Sequence, residues 1–175
     1  MPKKDLTFTS KLLVYLAAAE DILVPIMNPY EMRRRVLFGS RGSYQRTLYK
    51  WVKRGWIQFV DKDAQRFIKL TKKGELQALL AKAKLPIPMR WDGKWRMIIF
   101  DIPEATKDRR NLLRSLLKNN GYVKLQASVY INPYPLNREA VSYLKQTGLM
   151  DYIRIIKVEE MDDDKDLRKK FGLAK

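Results

Sequence analysis

The sequence predicts an α+β chain in two parts, a winged helix–turn–helix over residues 1–85 and a strand–helix–strand–strand–helix–strand domain over 91–175, with a connector at 86–90. Three observations predict it. From Trp91 to Pro133 a short β-rich run gives way to leucines at helical spacing and then to a second β-rich run. Before that stretch, helical patterns and a pair of short β-type runs follow in the order helix, helix, basic helix, hairpin, helix. Between the two parts, Leu85-Pro86-Ile87-Pro88 is spaced by prolines as a connector is.

Residues 10–24, SKLLVYLAAAEDILV, place Leu12, Leu13, Leu16, Ala17 and Ala19 on one side of a helix opened by Ser10, with Pro25 and Asn28-Pro29 marking its end. A short basic helix from Tyr30 to Phe38 and a turn at Gly39-Ser40-Arg41-Gly42 follow. Ser43 then stands as N-cap of a helix from Tyr44 to Arg54, and Gly55 as its stop. Tyr44, Leu48, Trp51 and Val52 form the inward stripe of this helix, whereas Arg46, Lys50 and Lys53 recur at i, i+4 and i+7 on another side, flanked by Gln45 and Tyr49. A surface helix with merely solvated charges has the same pattern, so the neighbouring elements decide. Trp56 to Val60 and Arg66 to Leu70 read as a hairpin joined by Asp61 to Gln65, with Lys62 and Arg66 at its tip. Thr71 caps a helix from Lys72 to Lys84 that carries Leu76, Leu79, Leu80 and Ala83 on one face.

A reader of duplex DNA needs a helix anchored by one face and open on the other. In this arrangement Arg41, Ser43, Gln45, Arg46, Tyr49, Lys50 and Lys53 meet the major groove and its walls, Gln45 or Arg46 reading base edges and Lys50 and Lys53 holding phosphates. Lys62 and Arg66 meet the backbone or minor groove from the hairpin.

In the second part, Trp95 to Ile102 suits a strand buried on both faces and ended by Pro103. From Thr106 a helix carries Leu112, Leu113, Leu116 and Leu117 on one face and Arg109, Arg110, Arg114 and Lys118 elsewhere, with Gly121 as its stop. Tyr122 to Ile131 is either one bent strand or a strand pair, broken by Asn132-Pro133. Asn137 caps a helix through Thr147, stopped by Gly148, with Val141, Leu144 and the stem of Lys145 over the sheet, and Tyr152 to Val158 is the last strand. The tail runs from acidic to basic, which places Asp162, Asp163 and Asp164 in the first turn of a helix and not in a metal cluster. Trp91 and Trp95 are expected to pack where the connector meets this domain.

Composition narrows the chemistry. Thirty-six Lys and Arg against 19 Asp and Glu give a net charge of +17, and a polyanion is the partner this suits. Residues 1–85 hold 18 basic and 7 acidic side chains and residues 86–175 hold 18 and 12, so the first part is the stronger candidate for nucleic acid. With neither Cys nor His, disulfides, thiolate or imidazole metal sites and Ser-His or Cys-His nucleophiles are excluded. Uncharged runs such as Leu12 to Ala19 fall short of the roughly 20 apolar residues of a membrane span, and with no signal peptide evident a cytoplasmic location is expected. Asp101 and Glu104 at the end of the buried strand are candidates for holding Mg2+, with a second Asp101 from a symmetric dimer, or for accepting backbone hydrogen bonds at the turn.

The runs FDIPE, DRR and QASVY resemble the core of the CRISPR-associated Cas-two family, small ferredoxin-like proteins that act as dimers. The flanking WDGKW and SVYINPY are similar to the central domain of PaaX-like transcriptional repressors, in which that fold follows a winged helix, and RTLYKWVKRGWI with LTKKG resembles small winged-helix regulators. The PaaX-like resemblance implies a ferredoxin-like βαββαβ domain, a homodimer and a sequence-specific repressor of double-stranded DNA, with no cofactor. The Cas-two resemblance implies instead a Mg2+-dependent endonuclease using Asp101, with Ser128 matching a family serine, or a structural partner of a CRISPR integrase subunit. The added winged helix favours the regulator.

Overall fold

The computed structural model describes residues 7–18, 24–25, 41–85 and 90–173, with only the backbone at Pro25 and at 41–43. The chain is α+β and divides into two compact units, 1–85 and 86–175, each built on one antiparallel sheet.

In the first unit α1 (Phe8–Ala18) begins three residues earlier than a cap at Ser10 predicts, because Thr7 takes that place. The Thr7 hydroxyl accepts from Ser10 N at 3.3 Å, a bond any Ser, Thr or Asp at that spacing can make. Leu12, Leu13 and Leu16 bury its inner face. The residues read as the end of this helix instead contribute β1 (Val24–Pro25), an edge strand, where proline is tolerated. The basic helix at 30–38 lies outside the described residues.

α2 (Arg41–Lys53) starts ahead of Ser43, which therefore stands in its first turn and not at its cap. First-turn N–H groups have no partner within the helix, so Gly and Ser cost little there. Tyr44, Leu48 and Trp51 are buried, but Val52 is 37% exposed. Val52 falls a residue beyond the i, i+4, i+7 line and so lies at the rim of the stripe. Gly55, at φ 66°, ends the helix, with Trp56 N donating to Trp51 O at 2.9 Å.

β2 (Ile57–Lys62) and β3 (Gln65–Leu70) pair in register from Ile57↔Leu70 to Lys62↔Gln65. The loop between them is Asp63-Ala64 alone, shorter than the five residues predicted, and both residues have positive φ. That is the twist a two-residue hairpin requires, and it carries the ladder through Asp61 and Arg66.

α3 (Lys72–Ala83) is capped by Thr71, whose hydroxyl accepts from Gly74 N at 3.1 Å and donates to Gly55 O at 2.6 Å. Its buried residues are Gly74, Ala78, Leu80, Ala81 and Ala83, while Leu76 and Leu79 are only half-buried. Small side chains on this face let α1 pack closely against α3. Trp51 and Trp56 sit 6.1 Å apart at the junction of α2 and the hairpin.

The second unit runs β4 (Trp95–Phe100), a 3₁₀ turn (Glu104–Thr106), α4 (Lys107–Asn119), β5 (Val123–Gln126), β6 (Val129–Asn132), α5 (Arg138–Gln146), β7 (Ile153–Val158) and α6 (Lys165–Phe171). The sheet order is β5-β6-β4-β7, all antiparallel. The stretch read as one bent strand or a pair is a pair, joined at Ala127-Ser128. Ile98, Phe100 and Tyr130 share one buried side of the sheet, and Leu113, Leu116, Leu117, Tyr143 and Leu144 are the buried faces of α4 and α5. Asn137 caps α5 as predicted, accepting from Ala140 N at 2.6 Å, but Lys145 is exposed.

Asp164 precedes α6 but makes no hydrogen bond that caps it. Its carboxylate instead receives Trp95 Nε1 at 3.0 Å and Arg168 Nε at 2.7 Å. The Arg168 guanidinium lies 4.9 Å from the Trp91 ring, and Phe171 and Trp91 pack against Trp95 at 5.7 and 5.5 Å. α6 is thereby clamped to the start of its own unit. The predicted first turn of Asp162, Asp163 and Asp164 is thus a lead-in whose third member is drawn to partners outside the helix backbone.

Candidate nucleic-acid interface

Residues 41–53 contain five cations or amide donors and no acid, and the fold turns most of them outward. Tyr44, Leu48 and Trp51 anchor α2 in the core with Leu12, Leu16, Ile57 and Ile68. With that side fixed, Gln45, Arg46, Tyr49, Lys50 and Lys53 are all exposed. Tyr49 is 62% exposed, and Lys53 Nζ lies over its ring at 4.8 Å, an i, i+4 contact that orients the ring along the helix. Burial pushes the Tyr44 hydroxyl up to about 12, with a further rise from Tyr15, so it stays neutral at any physiological pH. Of Arg41 and Ser43, the backbone continues α2, and their side chains lie outside the described residues.

The hairpin places its two predicted cations differently. Lys62 is exposed and makes no side-chain hydrogen bond or ion pair among the described residues. Arg66 stands opposite Asp61 across the ladder and engages it with two bonds, Nε to Oδ1 at 2.8 Å and Nη2 to Oδ2 at 3.3 Å. This pairing holds the Asp61 carboxyl below the usual carboxylate range, chiefly through the side-chain hydrogen bond. Arg66 also lies 5.8 Å from the ring of Phe59, which is 41% exposed on β2. Arg66 is therefore half-neutralised and aligned, whereas Lys62 is the open charge at the hairpin end. Sequence reasoning missed Asp61 and Phe59 because their partnership with Arg66 depends on register. The local signal was present all the same: Phe59 and Asp61 alternate on one side of a short β run.

What fixes the hairpin relative to α2 is the close passage of α3. A Cβ on Gly74 would come within 1.9 Å of Trp56 O, so only glycine admits that approach. Thr71 N also donates to Trp56 O at 3.0 Å, tying together the end of α2, the hairpin and the start of α3.

In the second unit Asp101 lies exposed beyond β4, its N–H donating to Tyr152 O at 3.0 Å. Its carboxylate accepts no hydrogen bond among the described residues, so the expected capping of the turn is not made. Glu104 is engaged by Arg110 at 2.6 Å, and Arg110 also donates to Ile102 O at 2.7 Å. Among the described residues no group of three or more carboxylates is placed to hold a metal ion. Ser128 lies in the turn between β5 and β6, its carbonyl accepting from Phe100 N at 3.1 Å. No described helix is long and apolar enough to cross a membrane.

No curated protein matches the sequence. Among solved structures, the uncharacterized protein Rv0674 from Mycobacterium tuberculosis is similar at a TM-score of 0.41 and 15% identity, over 97% of this chain and 67% of that one. Residues 88–169 match the family described as the PaaX protein central Cas2-like domain. That match falls within the second unit, where the WDGKW and SVYINPY motifs also lie, so this unit is similar to the PaaX central domain.

Proposed function

We propose that this chain is a transcriptional regulator, a repressor that binds a specific double-stranded DNA sequence as a homodimer in the cytoplasm. The first unit acts as a winged helix–turn–helix, with α2 in the major groove and the β2–β3 hairpin as its wing. The observation that carries this is the outward face of α2, where Gln45, Arg46, Tyr49, Lys50 and Lys53 stand exposed with no acid on the helix. Arg46 and Gln45 are suited to base edges, and Lys50, Lys53 and Lys62 to phosphates.

The second unit serves as the dimerising domain. Its strand–helix–strand–strand–helix–strand order, with β4 and β6 as the central pair, supports a ferredoxin-like fold. Ile99 and Ile156, 37% and 41% exposed on one face of the sheet, give a second copy apolar surface to cover. A two-fold dimer reads a palindrome with half-sites about 34–36 Å apart, or a multiple of that.

The test is selection from a pool of random duplexes at near-physiological salt, with the wild type and with the Arg46→Ala, Lys50→Ala variant. Enrichment of a palindrome by the wild type and its loss in the variant is the expected result. A wild type that enriches nothing, or a variant that enriches the same sequence, overturns the assignment of α2.

A further inference from the structure

The second unit carries a basic row that the reader in α2 does not use. At about 100° per residue, Lys107, Arg114 and Lys118 fall within an arc of roughly 40° along α4, about 16 Å from first to last. The opposite side of the helix is buried through Leu113, Leu116 and Leu117. Lys107 and Lys118 are exposed and Arg114 half-buried. None of the three has a side-chain hydrogen bond or ion pair among the described residues. Arg110, nearby, differs in being held by Glu104 and Ile102 O.

Helix electrostatics accounts for only part of this row. Lys118 in the last turn complements the macrodipole, but Lys107 sits in the first turn, where a cation is disfavoured, and Arg114 lies between. Asp108, the one acid of α4, is about 100° round from Lys107 and engages neither it nor any other cation among the described residues. Asn111 and Ser115, both exposed, fill the gaps beside the row.

The chemistry of this face selects its ligand. Lys, Arg, Asn and Ser are the donors that hold phosphate oxygens. A protein partner generally needs aromatic or aliphatic anchors, and Lys is depleted from such interfaces. None of the large exposed hydrophobic side chains lies on α4. A duplex offers one phosphate per about 3.4 Å of axis on each strand, so a row of roughly 16 Å meets several.

We propose that α4 is a second phosphate-binding surface, on which Lys107, Arg114 and Lys118 hold the backbone of a nucleic-acid duplex without reading its bases. Its choice of duplex as ligand rests on the reading of the first unit as a DNA binder.

The test uses the full chain with Lys107→Gln, Arg114→Gln and Lys118→Gln together, changes that preserve helix propensity and are checked by circular dichroism. Affinity is measured against salt for the selected duplex and for a scrambled one. The expected result is a slope of log K on log salt shallower by about 3, equal for both duplexes, with their affinity ratio unchanged. The charge-keeping variant Lys107→Arg, Arg114→Lys, Lys118→Arg retains the wild-type slope. An unchanged slope in the triple Gln variant overturns the proposal while leaving the α2 reader intact. If the wild type prefers no sequence but the slope still drops, the α4 surface stands and the reader falls. Failure of the wild type to bind any duplex even at low salt overturns both. A triple variant that loses only its binding to polyglutamate assigns the row to an acidic protein and overturns the proposal as well.

Discussion

Gly74 and Ala64 show how single positions set the geometry of the first unit. Gly74 lets α3 pass against Trp56 O, and the 1.9 Å approach of an added methyl would be to backbone, which cannot swing aside. Gly74→Ala is expected to cost about 3 kcal/mol or more, measured as a fall in the denaturant midpoint of the first unit's transition. Ala64 is the converse case, an L-residue at φ 60° in a turn that favours glycine. Relieving its steric strain gains roughly 1–2 kcal/mol and the extra freedom of the unfolded chain costs roughly 0.5–1, so Ala64→Gly should stabilise by about 1 kcal/mol in the same assay. Caps and stops at Gly55, Thr71, Gly121 and Asn137 were legible because each depends on residues within one turn. Gly74 was not, since its partner Trp56 lies on the far side of the hairpin and only the fold brings them together.

At the scale of elements, α6 is held by a carboxylate whose partners belong to α6 itself and to β4. The Arg168 guanidinium first, and the Trp95 N–H second, hold the Asp164 carboxyl below its ordinary value of 3.8. Because the folded value is the lower one, this contribution is fully present above the ordinary carboxylate range and is lost as pH falls through the depressed value. Tryptophan fluorescence should therefore show a step below about pH 4 in the wild type that Asp164→Asn removes. The acidic-to-basic order of the tail announced a helix here, and α6 is present. Its anchoring was hidden, because the sequence separates Trp95 from Asp164 by 69 positions. The hairpin shows a related limit: its existence was legible from composition, but its two-residue turn was not, since Asp-Ala is an uncommon choice where Asp-Gly is expected.

At the scale of the whole molecule, the net charge of +17 is the strongest signal, and it was fully legible. It also sets the conditions under which function can be read. For the duplex partner proposed above, counterion release is common to every sequence, so preference emerges only where salt has weakened that term. The outward face of α2 followed from spacing alone, because three buried residues at i, i+4 and i+7 leave little choice for the others. The partial neutralisation of Arg66 did not follow, and it leaves Lys62 as the open charge at the hairpin end.

The four tryptophans fall as two close pairs, Trp51 with Trp56 in one unit and Trp91 with Trp95 in the other. Each unit thus owns a private optical reporter. Replacing one pair by phenylalanine leaves a chain in which tryptophan emission speaks for the other unit alone. Changes in one unit then become separable in time from changes in the other.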